Sequence, residues 1–158
     1  MTALTVIEHQ ALEAAAPREV LTSRLGAEEY GIDILAVQEI RRFETATRIA
    51  NAPAHVLGVM NLRGVIVPIL DLRRLLGLPA ENGTNTVTVV VNVGTRTVGL
   101  VVDAVSDVVA LAPEQIQPKP ALGPQVGSDF IVGLAQLSTG EAQRLLLLVD
   151  LATLLRDL

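Results

Sequence analysis

GAEEYGIDILAVQEI, residues 26–40, and GTRTVGLVVDAVSDV, residues 94–108, are two copies of one pattern offset by 68 residues. Gly26, Gly31, Ala36 and Val37 recur as Gly94, Gly99, Ala104 and Val105, and Ile32, Ile34, Glu39 and Ile40 meet Leu100, Val102, Asp107 and Val108. A second match follows in the same order. Gly58, Leu62, Asp71, Leu72, Leu75 and Leu76 correspond to Gly133, Leu137, Asp150, Leu151, Leu154 and Leu155, with four more residues in the second copy's hairpin. Collinear matches with shared glycines imply two short β-modules. A module of roughly 60 residues is marginal alone, so the two are expected to share one apolar core. Small barrels suit such modules because closure removes exposed strand edges.

Working outward, strand-like runs fall at 20–25, 30–34, 36–40, 65–70, 86–93, 97–102, 130–137 and 144–149. Several are apolar blocks rather than alternations, as in strands covered on both sides. Two short helices are expected. One begins after Asn51, with Pro53 in its first turn and Gly58 at its end; the other spans 72–76, capped by Asp71 and stopped by Gly77. Residues 79–85, with their Pro, Asn and Gly, read as a linker, dividing the chain into an N-terminal arm (1–18) and subdomains 19–83 and 84–158.

Composition supports this reading. Half of the 158 residues are hydrophobic, yet only Tyr30, Phe43 and Phe130 are aromatic, so the core must be aliphatic. No apolar run approaches the ~20 residues of a membrane span, and no secretory signal opens the chain, so direct membrane insertion is not expected and the cytoplasm is. Cysteine is absent, which removes disulfides and thiolate metal sites. The net charge of −5 argues against nucleic acid as a partner. Arginine supplies all but one of the positive charges, Lys119 being the exception, and arginine favours protein interfaces.

Catalytic patterns are missing: there is no G-x-S-x-G, no P-loop and no G-x-G-x-x-G after a strand. His9 and His55 lack a metal-ligand spacing. Asp71 and Asp150 stand at equivalent helix starts, where capping explains them better than a carboxylate pair. Asp33 and Asp103 have no companion base or nucleophile in the pattern. Neither an enzyme nor a cofactor is expected.

LGAEEYGIDILAVQEIRR (25–42), TRIANAPAHVLGVMNLRGVIVPILDLRRLLGL (47–78) and VGLVVDAVSDVVALAPEQIQP (98–118) resemble the CheW-like family of chemotaxis coupling proteins. The resemblance covers about residues 19–157, and NLRGVIVPILDLR is its most specific part. It implies a mostly β fold of two similar five-stranded, SH3-like β-barrel subdomains around a shared hydrophobic core, with short helices including one at the C-terminus. It also implies two partners, the regulatory domain of the histidine kinase CheA and the cytoplasmic tips of methyl-accepting chemotaxis receptors, met in arrays at the inner face of the membrane. Arg63, at a hairpin tip beside Gly64, matches an arginine important for coupling in the family. Val37, Glu39, Gly58, Val105 and Val108 resemble positions implicated in receptor or kinase contacts. Ile40, Phe43, Thr47 and Ile49 resemble a kinase-binding edge. From the residues alone, core packing accounts equally well for the valines, solvation for Glu39, and backbone geometry for Gly58.

The sequence departs from the family in two places. The first strand, usually apolar and aromatic, reads Glu-Val-Leu-Thr-Ser-Arg-Leu over 19–25, with Ser23 and Arg24 where bulk is expected. Gln117 and Leu122 stand where some relatives have arginine and phenylalanine in a second kinase contact, which bears on ring formation. The same module ends the kinase itself and begins the adaptor CheV, but without receiver or kinase motifs a free-standing adaptor is expected. A paralogue serving a non-flagellar chemosensory pathway is the nearest alternative; a nucleic-acid-binding small barrel is the alternative of a different class.

Overall fold

The runs of Val, Ile and Leu form strands because their side chains pack well on a pleated, half-buried surface. In the computed structural model, residues 19–118, 130–139 and 142–156 are described; the arm at 1–18, His9, Lys119 and Leu122 lie outside them. The first copy gives β1 (Glu19–Leu25), β2 (Glu28–Asp33), β3 (Val37–Arg42), β4 (Val56–Leu62), β5 (Val65–Asp71) and helix α1 (Leu72–Leu75). The second gives β6 (Val87–Val93), β7 (Arg96–Val102), β8 (Ala104–Ala110), β9 (Ile116–Gln117), β10 (Ile131–Thr139), β11 (Ala142–Val149) and α2 (Leu151–Leu154).

The strands build two sheets, ordered β8-β1-β2-β11-β10-β9 and β3-β6-β7-β5-β4. Placed copy over copy, the two orders are the same. The sixth strand of the first sheet, β9, pairs Gln117 with Leu134; at the equivalent place in the second sheet, Thr47 makes an isolated antiparallel bridge to Val59. The expected fold class is thus observed, with one sheet longer by a two-residue strand.

Each sheet takes its hairpins from different copies. β1 and β2 of the first copy join β8–β11 of the second, while β6 and β7 join β3–β5. The junctions are parallel and equivalent, Leu148 opposite Gly31 and Ile69 opposite Gly99. These glycines serve close approach. A Cβ on Gly31 would lie 3.1 Å from side-chain atoms of Leu148 and Val20, and one on Gly99 would lie 2.7 Å from Ile69 and 2.8 Å from Thr88. Compactness divides the chain accordingly. One unit holds residues 19–22, 28–34 and 107–156 as far as described; the other holds Ser23–Ala27 and Leu35–Ser106. The division therefore interleaves along the chain, whereas the repeat alone suggests a cut at 83/84. Val20, Leu146 and Leu148 belong to the apolar cluster of the first unit, and Val67, Ile69, Val90 and Val101 to that of the second.

Both Asp-Leu junctions behave as helix starts. Asp71 accepts from the Arg73 amide at 3.0 Å and Asp150 from the Ala152 amide at 3.1 Å, and their own amides donate to His55 O and Phe130 O, each at 2.7 Å. At the other end of α1, the Leu78 amide donates to Arg73 O and the Gly77 amide to Arg74 O, a Schellman closure.

The helix expected after Asn51 is absent. The Val56 amide donates to Pro53 O in a turn, and β4 begins there, with Gly58 inside the strand at a register shift. A short apolar run containing glycine does not fix its own period, and here the glycine marks a bulge. The same bulge recurs between Ile131 and Gly133. In β1, Ser23 is fully buried and its hydroxyl has no partner among the described residues, while Arg24 is exposed.

Candidate functional site

Asn61 and Gly64 shape the tip of the β4–β5 hairpin. Leu62 pairs with Val65, leaving Arg63 and Gly64 as a two-residue loop in which both have positive φ, 52° and 87°. Such loops match the twist of the strands they join. The Gly64 amide donates to Asn61 Oδ1 at 2.8 Å, fixing the tip. The non-glycine residue held in this conformation is Arg63, so its side chain leaves the hairpin from a defined point.

That side chain donates to the Glu39 carboxylate on β3, which also accepts from Arg41 at 3.1 Å. β3 is one edge of its sheet and β4 the other. The Arg63–Glu39 pair thus joins the hairpin at one edge to the strand at the opposite edge, and the Thr47–Val59 bridge lays further chain along β4. Hydrogen bonds from Arg63 first, then Arg41, hold the Glu39 carboxyl below its ordinary range despite opposing desolvation. Glu39 is largely covered, whereas the Arg63 side chain is 67% exposed. Ile40, Val65 and Ile66 are also exposed. On β3, Val37, Glu39 and Arg41 are half-buried, alternating with exposed Gln38, Ile40 and Arg42.

Gly58 has a mechanical role in this region. Its φ is 145°, and a Cβ there would fall 2.0 Å from Thr47 O. No other residue lets the 43–55 segment approach β4 closely enough for both Thr47–Val59 hydrogen bonds, each 2.9 Å. That segment carries Phe43 and Ile49, which with Leu57, Arg48 and Arg74 line a concavity of about 430 Å³. Val37, Glu39, Ile40, Phe43, Thr47, Ile49, Gly58 and Arg63 therefore all belong to one unit.

On β8, Val105 is half-buried and Val108 is exposed. Gln117 is exposed on β9. Two arginines escape a reading of sequence. Arg73, 1% exposed, donates to Asp71 and Asp103 and also to Glu81 O at 2.9 Å and Asn82 Oδ1 at 2.7 Å, so it pins the 79–85 linker. Arg144 on β11 binds Glu29 and Asp107. The one available signal was the repeat, which aligns Asp107 with Glu39. Among the described residues, no group of three His, Cys, Asp or Glu is arranged to hold a metal, and no helix is long and apolar enough to cross a membrane.

Comparisons with known proteins agree with this architecture. Residues 19–158 match the family model of the CheW-like domain. The chain is 47% identical over 139 residues to a chemotaxis protein CheW of Klebsiella aerogenes, covering 87% of this chain and 81% of that protein. It is 43% identical over 74 residues to a chemotaxis protein CheW of Rhizobium meliloti, about half of each chain. The crystal structure of the scaffolding protein TtCheW from Thermoanaerobacter tengcongensis superposes with a TM-score of 0.75 at 27% identity, covering 85% of both chains. With its paired sheets, repeated Asp-capped helices and matching sequence, the chain belongs to the CheW-like domain family.

Proposed function

We propose that this protein is a non-catalytic chemotaxis adaptor that couples chemoreceptor cytoplasmic tips to the regulatory domain of the histidine kinase CheA, at arrays on the inner face of the membrane. The observation that carries the reading is the Arg63–Glu39 pair, a charge held out at a rigid hairpin tip beside exposed Ile40, Val65 and Ile66. Exposed aliphatic side chains around an arginine form the kind of patch that partners bury. The coupling residues of this reading are Val37, Glu39, Gly58 and Arg63 and, on β8, Val105 and Val108; Ile40, Phe43, Thr47 and Ile49 are its kinase-binding edge. Such an adaptor performs no bond chemistry. Holding two partners together raises their effective concentration, and a change in one partner's state reaches the other as a coupling free energy.

The test is co-purification of a receptor cytoplasmic fragment and the kinase regulatory domain with the wild-type chain and with Arg63→Ala. Wild type is expected to retain both, and the variant to lose receptor-dependent control of the kinase with its melting temperature nearly unchanged. A wild-type chain that retains neither partner overturns the reading.

A further inference from the structure

Arg73 uses every N–H it has. Nε and Nη2 donate to the two Asp71 oxygens, each at 3.0 Å, and Nη1 donates to Asp103 Oδ1 at 3.1 Å. The remaining two go to the 79–85 linker, Nη1 to Glu81 O at 2.9 Å and Nη2 to Asn82 Oδ1 at 2.7 Å. A guanidinium has five donors, so none is left for water. Helix capping does not require this arginine. The repeat aligns Arg73 with Ala152 and Asp103 with Leu35, yet Asp150 still caps its helix, with the Thr153 hydroxyl as a further donor at 2.7 Å. What the arginine adds is a hold on the linker and on Asp103.

Asp103 carries that hold to the turn between β1 and β2. Its second oxygen accepts from the Gly26 amide at 2.8 Å, and its own amide donates to Arg24 O at 3.0 Å. The linker is moored at both ends. The Leu78 amide donates to Arg73 O, and buried Thr86 accepts from the Phe43 amide through its carbonyl and from the Gly83 amide through its hydroxyl, the latter at 2.8 Å. Between these moorings residues 81–85 are exposed, whereas the Arg73 they fasten to is buried. Linker and turn face one another across a concavity of about 460 Å³ lined by Arg24, Gly26, Pro79, Glu81, Thr86 and Asp103. All of these residues belong to one unit. Lifting 79–85 would uncover little apolar surface and would give the freed guanidinium N–H groups to water, so it costs less than opening a sheet.

We infer that residues 79–85 are a strap that opens as a unit while the sheet stays folded, and that Arg73 and Asp103 tie its opening to the turn at 24–26. Closed, the strap keeps water from Arg73 and leaves Asp103 firmly held. Open, water competes for Nη1 and Nη2, the grip on Asp103 slackens, and the Gly26 turn loosens with the strap. The coupling is internal to this unit and does not depend on the adaptor reading.

The test is residue-resolved amide hydrogen exchange on the full chain, as wild type and with Asn82→Ala, Asp103→Asn and Arg73→Lys. The reporters are the Gly83 and Gly26 amides, bonded to the Thr86 and Asp103 side chains, with the amides of β6 and β7 as reference. In the wild type both reporters should exchange at least about tenfold faster than the reference, through openings insensitive to low denaturant. Asn82→Ala, a change at an exposed side chain, should speed both reporters by a similar factor of about three- to tenfold and leave the reference unchanged. Gly26 is far from residue 82 along the chain, so its response reads the link through Arg73 and Asp103. Asp103→Asn should speed Gly26 more than Gly83. Arg73→Lys, which cannot serve the strap and both carboxylates at once, should speed both more than Asn82→Ala; if that variant does not fold, Asn82→Ala decides. A Gly83 amide that speeds up in Asn82→Ala with Gly26 unchanged overturns the link. Reporters with no protection in the wild type, or protected as fully as the reference, overturn the strap. An equal rise at every amide, reference included, is a loss of global stability and overturns both.

Discussion

Glu39–Arg63 and Asp107–Arg144 are the same idea built twice with opposite emphasis. The acids occupy equivalent positions in the two copies, on the edge strands β3 and β8. The arginines do not. Counted back from the shared Asp, Arg144 stands where the first copy has Val65, inside the strand, while Arg63 stands at the hairpin tip. Among the described residues, Arg63 pairs with Glu39 alone and is 67% exposed, while Arg144 pairs with two carboxylates and is 19% exposed. One guanidinium is available to a partner at the cost of a single hydrogen-bonded contact, and the other is committed. The duplication has conserved the place of the charge, and solvent access has decided its use.

Arg73 supplies the upper limit against which both pairs can be measured. It is buried and fully engaged, so Arg73→Ala strands Asp71 and frees the linker; a loss of about 3–5 kcal/mol in denaturant unfolding is expected. Arg144→Ala should cost about 2 kcal/mol, between the buried and surface cases. Arg63→Ala should cost less than about 1 kcal/mol, because an exposed pair is well screened. If Arg63→Ala proves as costly as Arg144→Ala, the contrast between an available and a committed arginine fails.

Acid should act on both pairs. The Glu39 and Asp107 carboxyls are held below their usual range, chiefly by hydrogen bonds from Arg63 and Arg144 respectively. A depressed carboxyl contributes stability that is present above its unfolded pKa and is lost as pH falls through the folded value. Stability should therefore be insensitive to these groups above about pH 5 and decline below the ordinary carboxylate range near 4. Asp107→Asn should flatten that decline more than Glu39→Gln, which a pH series of unfolding curves would resolve.

Much of this was legible in the residues. Repeated glycines and Asp-Leu pairs gave the two modules, and the caps at Asp71 and Asp150 followed from position alone. The helix expected from after Asn51 to Gly58 misled because the short apolar stretch around Gly58 has no decisive period. Arg73 and Arg144 were hidden for a different reason: Asp103 and Glu29 lie 30 and 115 residues away, and no local pattern announces a partner at that range. The same limit concealed which hairpins join which sheet. A repeat reveals strands that are alike, not the copy with which each one pairs.

The exchanged hairpins set a timetable for folding. β2 can complete its parallel pairing only after Leu146–Leu148 have been made, more than a hundred residues later, whereas every strand of the other sheet exists once Val102 has emerged. On the ribosome, the sheet that carries Arg63 can form first, while the β2 edge waits open for β11. Closing that long loop carries an entropic cost before any contact repays it, so the sheet clamped by Arg144 is the slow one and the one most exposed to mispairing with a neighbouring nascent chain.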